Sequence, residues 1–349
     1  MAADLDHTAL HAYYERGEEA ERLARSGAGR LEFERTQEIL LRHLPQPPAT
    51  VADIGGGPGR YSIWLAALGY RVVHRDIVPM HVDQVRTAAA ADGVAVEAAI
   101  GDARCLDLRD EAVDAVLLLG PLYHLPRRAD RVQALREAGR IVRPGGPVFG
   151  AVISRWAARL DGMLRARLYD KYPAAERVTD EVERSGLLTP LGPGSFCGVT
   201  HRPGQVRAEF AAAGLDVADL VCVEGAAYLL DDLDARMADQ RDWQVVLEAA
   251  RAHARARSRV AGDRVAPDRH RAPSLRTHLG RLPIGGSACC ALPTGRLSLS
   301  GCAAIRSRGV HALVDLDSAK ANRRDDPCDY QDQYQTDRRP PERDDRYRG

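Results

Sequence analysis

The chain has 349 residues, 45% of them hydrophobic, which is enough for one or two domains with a sizeable core. Its 49 basic and 49 acidic side chains cancel to a formal net charge of zero, so there is no electrostatic footprint for a nucleic-acid backbone and a small or neutral partner is expected. The start, Met1-Ala2-Ala3-Asp4-Leu5-Asp6-His7, lacks the basic and apolar regions of a secretory signal, and no window approaches the roughly 18 apolar residues of a membrane span; the sequence reads as cytoplasmic, without a membrane partner.

Residues 1–45 read as an N-terminal helical cap, polar and amphipathic, with Leu31, Ile39, Leu40 and Leu44 as apolar contacts before Pro45-Gln46-Pro47-Pro48 ends the run. From Thr50 to Ile153 short apolar runs alternate with helical stretches, the pattern of stacked βαβ units. The strands expected are Thr50 to Ile54, Arg71 to Arg75, Val94 to Ala98, Val113 to Leu119 and Val148 to Ile153. Between the first two, Tyr61, Trp64, Leu65 and Leu68 repeat at helical spacing, and Gly69 follows as a C-terminal cap. These elements predict an α/β fold with a doubly wound, mostly parallel sheet and helices on both faces, spanning residues 46–250.

A helical insertion is expected at about 154–194, then a helix after Arg202-Pro203 with Val206 and Phe210 inward, and a strand from Leu215 to Val223. Composition breaks near residue 252: glutamate vanishes except for Glu342, while Arg, Pro, Gly and Ser crowd together. Residues 251–349 therefore read as a largely disordered or aberrant tail, within which Gly309 to Leu316 has a strand-like pattern. The seven cysteines have no zinc spacing; Cys105, Cys197 and Cys222 read as buried small hydrophobes, and no metal is expected.

The informative stretch is Val51-Ala52-Asp53-Ile54-Gly55-Gly56-Gly57-Pro58-Gly59-Arg60, a strand running through glycines into an amphipathic helix. Glycine lets the backbone approach a ligand closely. The dinucleotide fingerprint would want glycine where Arg60 stands. Asp53 beside a pyrophosphate would be electrostatically costly, whereas a cofactor with an ammonium and a sulfonium tolerates it. Asp76 ends the second strand, where an acid can accept hydrogen bonds from both ribose hydroxyls. Asp102 follows the third, placed to take an adenine amino group. The fourth strand runs into Leu119-Gly120-Pro121-Leu122-Tyr123-His124, at the carboxyl edge where open α/β sheets bind ligands.

With its Asp53-to-Gly59 loop, Gly101-Asp102-Ala103 turn, Leu119-to-Leu125 stretch and Leu135-to-Gly146 run, the sequence resembles the small-molecule class I methyltransferases that use S-adenosylmethionine. The resemblance covers about Tyr13 to Ala250. It implies a Rossmann-like domain in which Asp53, Gly55, Gly56, Gly57 and Gly59 hold the methionine end of the cofactor. It further implies Asp76 with Ile77 at the ribose, Asp102 with Ala103 at the adenine, and Leu119 and Gly120 beside the methyl. Tyr13-Tyr14-Glu15-Arg16-Gly17 resembles the segment that folds over the cofactor, which puts Tyr14 at the site. Tyr123 and His124 are the candidate catalytic residues, His124 because an imidazole titrates near neutral pH.

Arg127, Arg128 and Arg131 read as a charged helix face, and Arg155 and Trp156 as a border of the substrate pocket or a solvated helix start. The expected reaction is methyl transfer to a small molecule. A non-catalytic cofactor-binding protein is the alternative, followed by a nicotinamide-dependent reductase, which the glycine spacing and the lack of a Tyr-x-x-x-Lys pair disfavour. The family ends its sheet with an antiparallel strand, and none is readable in Arg251 to Pro273.

Overall fold

A computed structural model of the chain describes residues 13–14, 18–188 and 197–260. Helix α1 (Gly27–His43) starts at Ser26, whose side chain accepts the Gly29 amide at 3.1 Å, a capping bond that satisfies an otherwise orphaned donor. Five strands follow: β1 (Thr50–Ile54), β2 (Arg71–Asp76), β3 (Val96–Ile100), β4 (Ala115–Leu118) and β5 (Val148–Gly150). Helices α2 (Arg60–Ala67), α3 (Pro79–Asp92) and α4 (Arg128–Ile141) connect them. All neighbouring pairs are parallel, in the order β3-β2-β1-β4-β5. Winding reverses between β1 and β4, which opens a crevice beyond the carboxyl ends of these strands.

The central strands β1, β4 and β5 are buried on both sides because both faces are covered. Ala52, Ile54, Val116 and Leu118 face a core shared with Leu135 of α4 and Phe210. Val51, Leu117 and Phe149 face the opposite core, with Ile39 and Leu40 of α1 and Leu65 of α2. Each fully buried leucine of this kind contributes about 1.5–3 kcal/mol. On α2, Tyr61 and Leu65 are buried and Trp64 is half-buried, but Leu68 is 42% exposed because the helix ends at Ala67.

Three strand expectations are corrected. The third strand begins at Val96 because Gly93 and Val94 still bond back to Ala90 and Ala89 at the end of α3. The expected Val148-to-Ile153 strand divides between two sheets. Its first half pairs with β4, while β6 (Ile153–Ser154) pairs with β8 (Gly198–His201), whose other edge pairs with β7 (Leu187–Leu188). No strand forms over 215–223. Leu215, Val217 and Leu220 join one core and Val221 and Val223 the other, without a ladder, and the Val223 carbonyl is met by the buried Arg35 side chain at 3.3 Å. Apart from an isolated bridge at Leu215, the apolar pattern there records burial, not pairing.

The region after β6 carries a π-helical segment (Ala158–Arg165) and α5 (Ala175–Ser185). Helix α6 (Pro203–Ala212) buries Val206 and Phe210 as expected. Two last helices, α7 (Leu233–Ala238) and α8 (Gln240–Val260), return to the N-terminal side, where Trp243, Val246, Leu247 and Ala250 pack with Ala28 and Leu31 of α1. The composition break near 252 thus falls inside α8, and residues 251–260 are helical where a disordered tail was expected. The readings of 261–349, including Gly309 to Leu316, lie outside the described residues. Cys105 is half-buried and disulfide-bonded and Cys197 is half-buried, so neither is a small buried hydrophobe, whereas Cys222 is buried. Among the described residues no helix is long and apolar enough to cross a membrane.

Candidate active site

The carboxyl ends of β1, β2 and β4 bring the candidate residues together. Leaving β1, the Gly55 amide donates to the Arg75 carbonyl at 2.6 Å and so continues the β1–β2 ladder one residue into the loop. Gly57 has φ +59°, and a Cβ there would meet nothing within 4 Å among the described residues. Among the described residues the loop therefore fronts open space, and a side chain at Gly57 would occupy room in which a ligand can lie against the backbone. Its amide donates to Asp76 Oδ2 at 2.8 Å. Gly59 precedes α2 as its N-cap. Across the crevice, a Cβ on Gly120 would stand 2.4 Å from the Gly55 carbonyl oxygen, so the ends of β1 and β4 touch backbone to backbone.

Asp53 has no exposed surface. Its Oδ2 accepts the Ser62 hydroxyl at 2.7 Å, and Oδ1 has no hydrogen-bond partner among the described residues. Burial pushes its pKa up, against the opposing effects of His74 and the Ser62 hydrogen bond. Asp76 is 5% exposed and accepts three groups: the Gly57 amide, the Val78 amide at 2.8 Å and His81 Nδ1 at 3.2 Å. Burial works to raise this carboxyl, but His81 and the Val78 amide outweigh it and hold the pKa below the usual range. Ile77 follows, half-buried.

Asp102 is 8% exposed and grips Arg104, with 2.6 Å between Oδ2 and the guanidinium. Ala103 beside it joins the core under α4, and Leu119 is buried in the opposite core. Tyr14 reaches across from the N-terminal side: its hydroxyl lies 2.7 Å from His124 Nε2, and its ring meets His81 and His124 edge-on at 4.9 and 5.6 Å. Burial pulls His124 down to about 4, so the ring is neutral at physiological pH and its Nε2 accepts the Tyr14 hydroxyl. Burial raises Tyr14 and Tyr123, which stay protonated. Tyr123, together with Leu160 of the π-helical segment, packs against Ile153 and Ala157.

Three residues at the site were missed from sequence: Ser62, His74 and His81. His81 carried a readable signal, since a side chain on the first turn of α3, five residues past Asp76, can reach back to it. Ser62 and His74 carried none, because their contact depends on strand register. Two expectations change. Arg131 is not on a solvated face but buried in an ion pair with Glu209 at 2.6 Å, and Arg155 is buried against the Thr200 carbonyl and Gln205, away from solvent. Among the described residues no group of three His, Cys, Asp or Glu side chains could hold a metal.

Residues 51–146 match a family model described as a methyltransferase domain. The chain is 36% identical over 122 residues to a ubiquinone/menaquinone biosynthesis C-methyltransferase of Acidiphilium cryptum, covering 34% of this chain and 48% of that one. It is 30% identical over 173 residues to a ubiquinone biosynthesis O-methyltransferase of a Methylobacterium species, covering 46% and 67%. A solved SAM-dependent methyltransferase of Methanosarcina mazei shares 21% identity with a TM-score of 0.43, covering 53% and 89%. The chain spans less than half the length of several curated relatives, 48%, 44% and 44% in three of them.

Proposed function

Since the chain belongs to the class I S-adenosylmethionine-dependent methyltransferases, we propose that it transfers the cofactor's methyl group to a small-molecule acceptor. The observation that carries the reading is the space left before Gly57 by the described residues, on a loop whose Gly57 amide donates to the Asp76 carboxylate and which has the buried Asp53 carboxylate under Gly56. A loop without side chains suits a ligand lying on backbone. A buried carboxylate oxygen without a partner suits a ligand that brings positive charge.

The chain's residues divide the cofactor between them. Gly55, Gly56, Gly57 and Gly59 support its methionine end over Asp53. Asp76, with Ile77 beside it, accepts the ribose hydroxyls, and its depressed pKa keeps it ionised for that purpose. The Asp102-Ala103 turn lines the adenine end, and Leu119 and Gly120 border the methyl. When bound, S-adenosylmethionine supplies an electrophilic methyl on a sulfonium that leaves as a neutral thioether.

Tyr14, Tyr123 and His124 then form the acceptor wall. They exclude water and hold the acceptor in line, which is where most of the rate arises when chemistry needs only approach at roughly 3–3.5 Å. An acceptor hydroxyl that replaces the Tyr14 hydroxyl on His124 Nε2 finds a neutral imidazole that accepts its hydrogen bond and orients it; the near-neutral titration expected from sequence is corrected, because burial pulls His124 down to about 4 and leaves it a weak base. Leu160 and Trp156, from the stretch after β5, choose the acceptor; Trp156 is 36% exposed. The zero net charge favours a small molecule over nucleic acid as partner, and we assign the reaction to the cytoplasm.

Incubation with S-adenosylmethionine and a panel of small phenols, acids, amines and thiols tests this directly. Release of S-adenosylhomocysteine that depends on one acceptor class is expected. A protein that is stabilised by S-adenosylhomocysteine, by about 2.7 kcal/mol at 100 times its Kd, yet turns over none of the panel, supports the non-catalytic alternative.

A further inference from the structure

Beneath the glycine loop, Asp53, Ser62 and His74 form a line of hydrogen bonds with no exposed surface on any of the three. Ser62 Oγ lies 2.7 Å from Asp53 Oδ2 and 3.0 Å from His74 Nδ1. The topology forces the meeting. Strands β1 and β2 are parallel with Asp53 opposite His74, so both side chains leave the sheet on one face, and Ser62 meets them from the first turn of α2.

Proton counting fixes the roles. A serine hydroxyl has one proton to give, and an ionised carboxylate can only accept. Ser62 therefore donates to Asp53 and accepts from His74, which sets His74 as the neutral tautomer with its proton on Nδ1. Burial pulls His74 down, favouring that neutral form. The relay occupies Asp53 Oδ2 and leaves Oδ1 without a hydrogen-bond partner among the described residues. Both oxygens lie directly under Gly56, where an added Cβ would stand 2.5 Å from Oδ2 and 2.7 Å from Oδ1.

We propose that Ser62 and His74 are positioning residues for Asp53, holding its carboxylate ionised and turned so that Oδ1 is kept for the loop and the cationic end of S-adenosylmethionine. The proposal rests on the methyltransferase reading. Neither residue touches the ligand; both act through Asp53. The charges bearing on the relay are Asp76 on Asp53, and Asp76, His81 and Arg75 on His74.

The sign of the effect follows. Burial already works against the Asp53 carboxylate, and the Ser62 hydrogen bond opposes it. Removing that hydroxyl makes Asp53 protonate at a higher pH, and a protonated Asp53 no longer attracts an ammonium. The test measures the Kd for S-adenosylmethionine from pH 5 to 8 with the full-length protein and its Ser62→Ala, Ser62→Cys, Ser62→Thr and Asp53→Asn variants.

Ser62→Ala is expected to bind about tenfold more weakly at neutral pH, with the acid limb of its affinity profile displaced to higher pH. Ser62→Cys, nearly isosteric but a weak donor, shifts in the same direction, and Ser62→Thr returns both properties toward the parent. A purely structural role would lower thermal stability without moving the acid limb. A folded Ser62→Ala or Ser62→Cys protein with the parent's Kd and pH profile overturns the proposal. If the parent binds and Asp53→Asn does not, such a result leaves the cofactor site standing and removes only the relay; a parent that does not bind removes both.

Discussion

Gly120 and Gly57 stand on opposite walls of the crevice and restrict substitution for different reasons. At Gly120 the obstacle is the Gly55 carbonyl, 2.4 Å from where a Cβ would sit, and a backbone oxygen tied into the β1–β4 contact cannot swing aside. Gly120→Ala is expected to cost about 1–3 kcal/mol and to push the cofactor loop out of place. Urea denaturation should show a lower midpoint with an unchanged slope; an unaltered midpoint would mean that the two strand ends separate freely. The acids were legible from their places relative to the glycine loop and the ends of the expected strands: Asp53 two residues before Gly55, Asp76 closing β2 and Asp102 just after β3. The partners of those acids were not. A histidine inside Arg71-to-Asp76 reads as a core residue until register sets it opposite Asp53.

Among the elements, α4, α6 and β8 are clamped by one buried cluster: Arg131 holds Glu209 in a two-pronged pair at 2.6 and 2.9 Å, and His201 Nε2 lies 3.3 Å from the same carboxylate. Burial alone would raise Glu209, but Arg131 and His201 hold it down at about 2. A carboxyl depressed from its usual 4.5 contributes stability that is fully present above about pH 4.5 and is lost as pH falls toward about 2. The amount is on the order of 3 kcal/mol. Glu209→Gln is expected to destabilise by about 3–5 kcal/mol at pH 7, because Arg131 stays buried without its counter-charge, and to lose the parent's stability change below pH 4.5. Parallel acid titrations of unfolding free energy check both statements. This cluster was hidden in sequence, since Arg131 and Glu209 lie on helices far apart in the chain. Strands β4 and β5 were readable because doubly buried strands are continuously apolar, whereas β2 with His74 and Arg75 and the half-exposed β3 had to be placed from the alternation with helices. The run over 215–223 has the same composition but no ladder, and periodicity cannot tell these apart.

At the scale of the described molecule, helices α1 and α8 close on each other. Trp243 of α8 is 1% exposed, donates its indole N–H to Glu34 at 2.8 Å and lies under Arg30 at 4.7 Å. Arg251 adds an ion pair with Glu38. Trp243→Ala is expected to cost about 3–5 kcal/mol and to loosen α1, readable as faster amide exchange over 27–43; unchanged protection there would show that α1 is held by the sheet alone. The strand order β3-β2-β1-β4-β5 places the crevice, and with it the candidate cofactor site, at the reversal between β1 and β4. That placement was legible from the order of strands and glycines. The return of α8 onto α1 was not, because no local pattern marks which helices meet.

The most direct measurement is calorimetric titration of the full-length protein with S-adenosylmethionine, alongside its Asp76→Ala variant and with reduced nicotinamide dinucleotide as the comparison ligand. Saturable one-site binding of S-adenosylmethionine, weakened more than about tenfold in Asp76→Ala and absent for the dinucleotide, is the expected result. A protein that unfolds cooperatively on heating, and is therefore folded, yet shows no binding of S-adenosylmethionine, contradicts it.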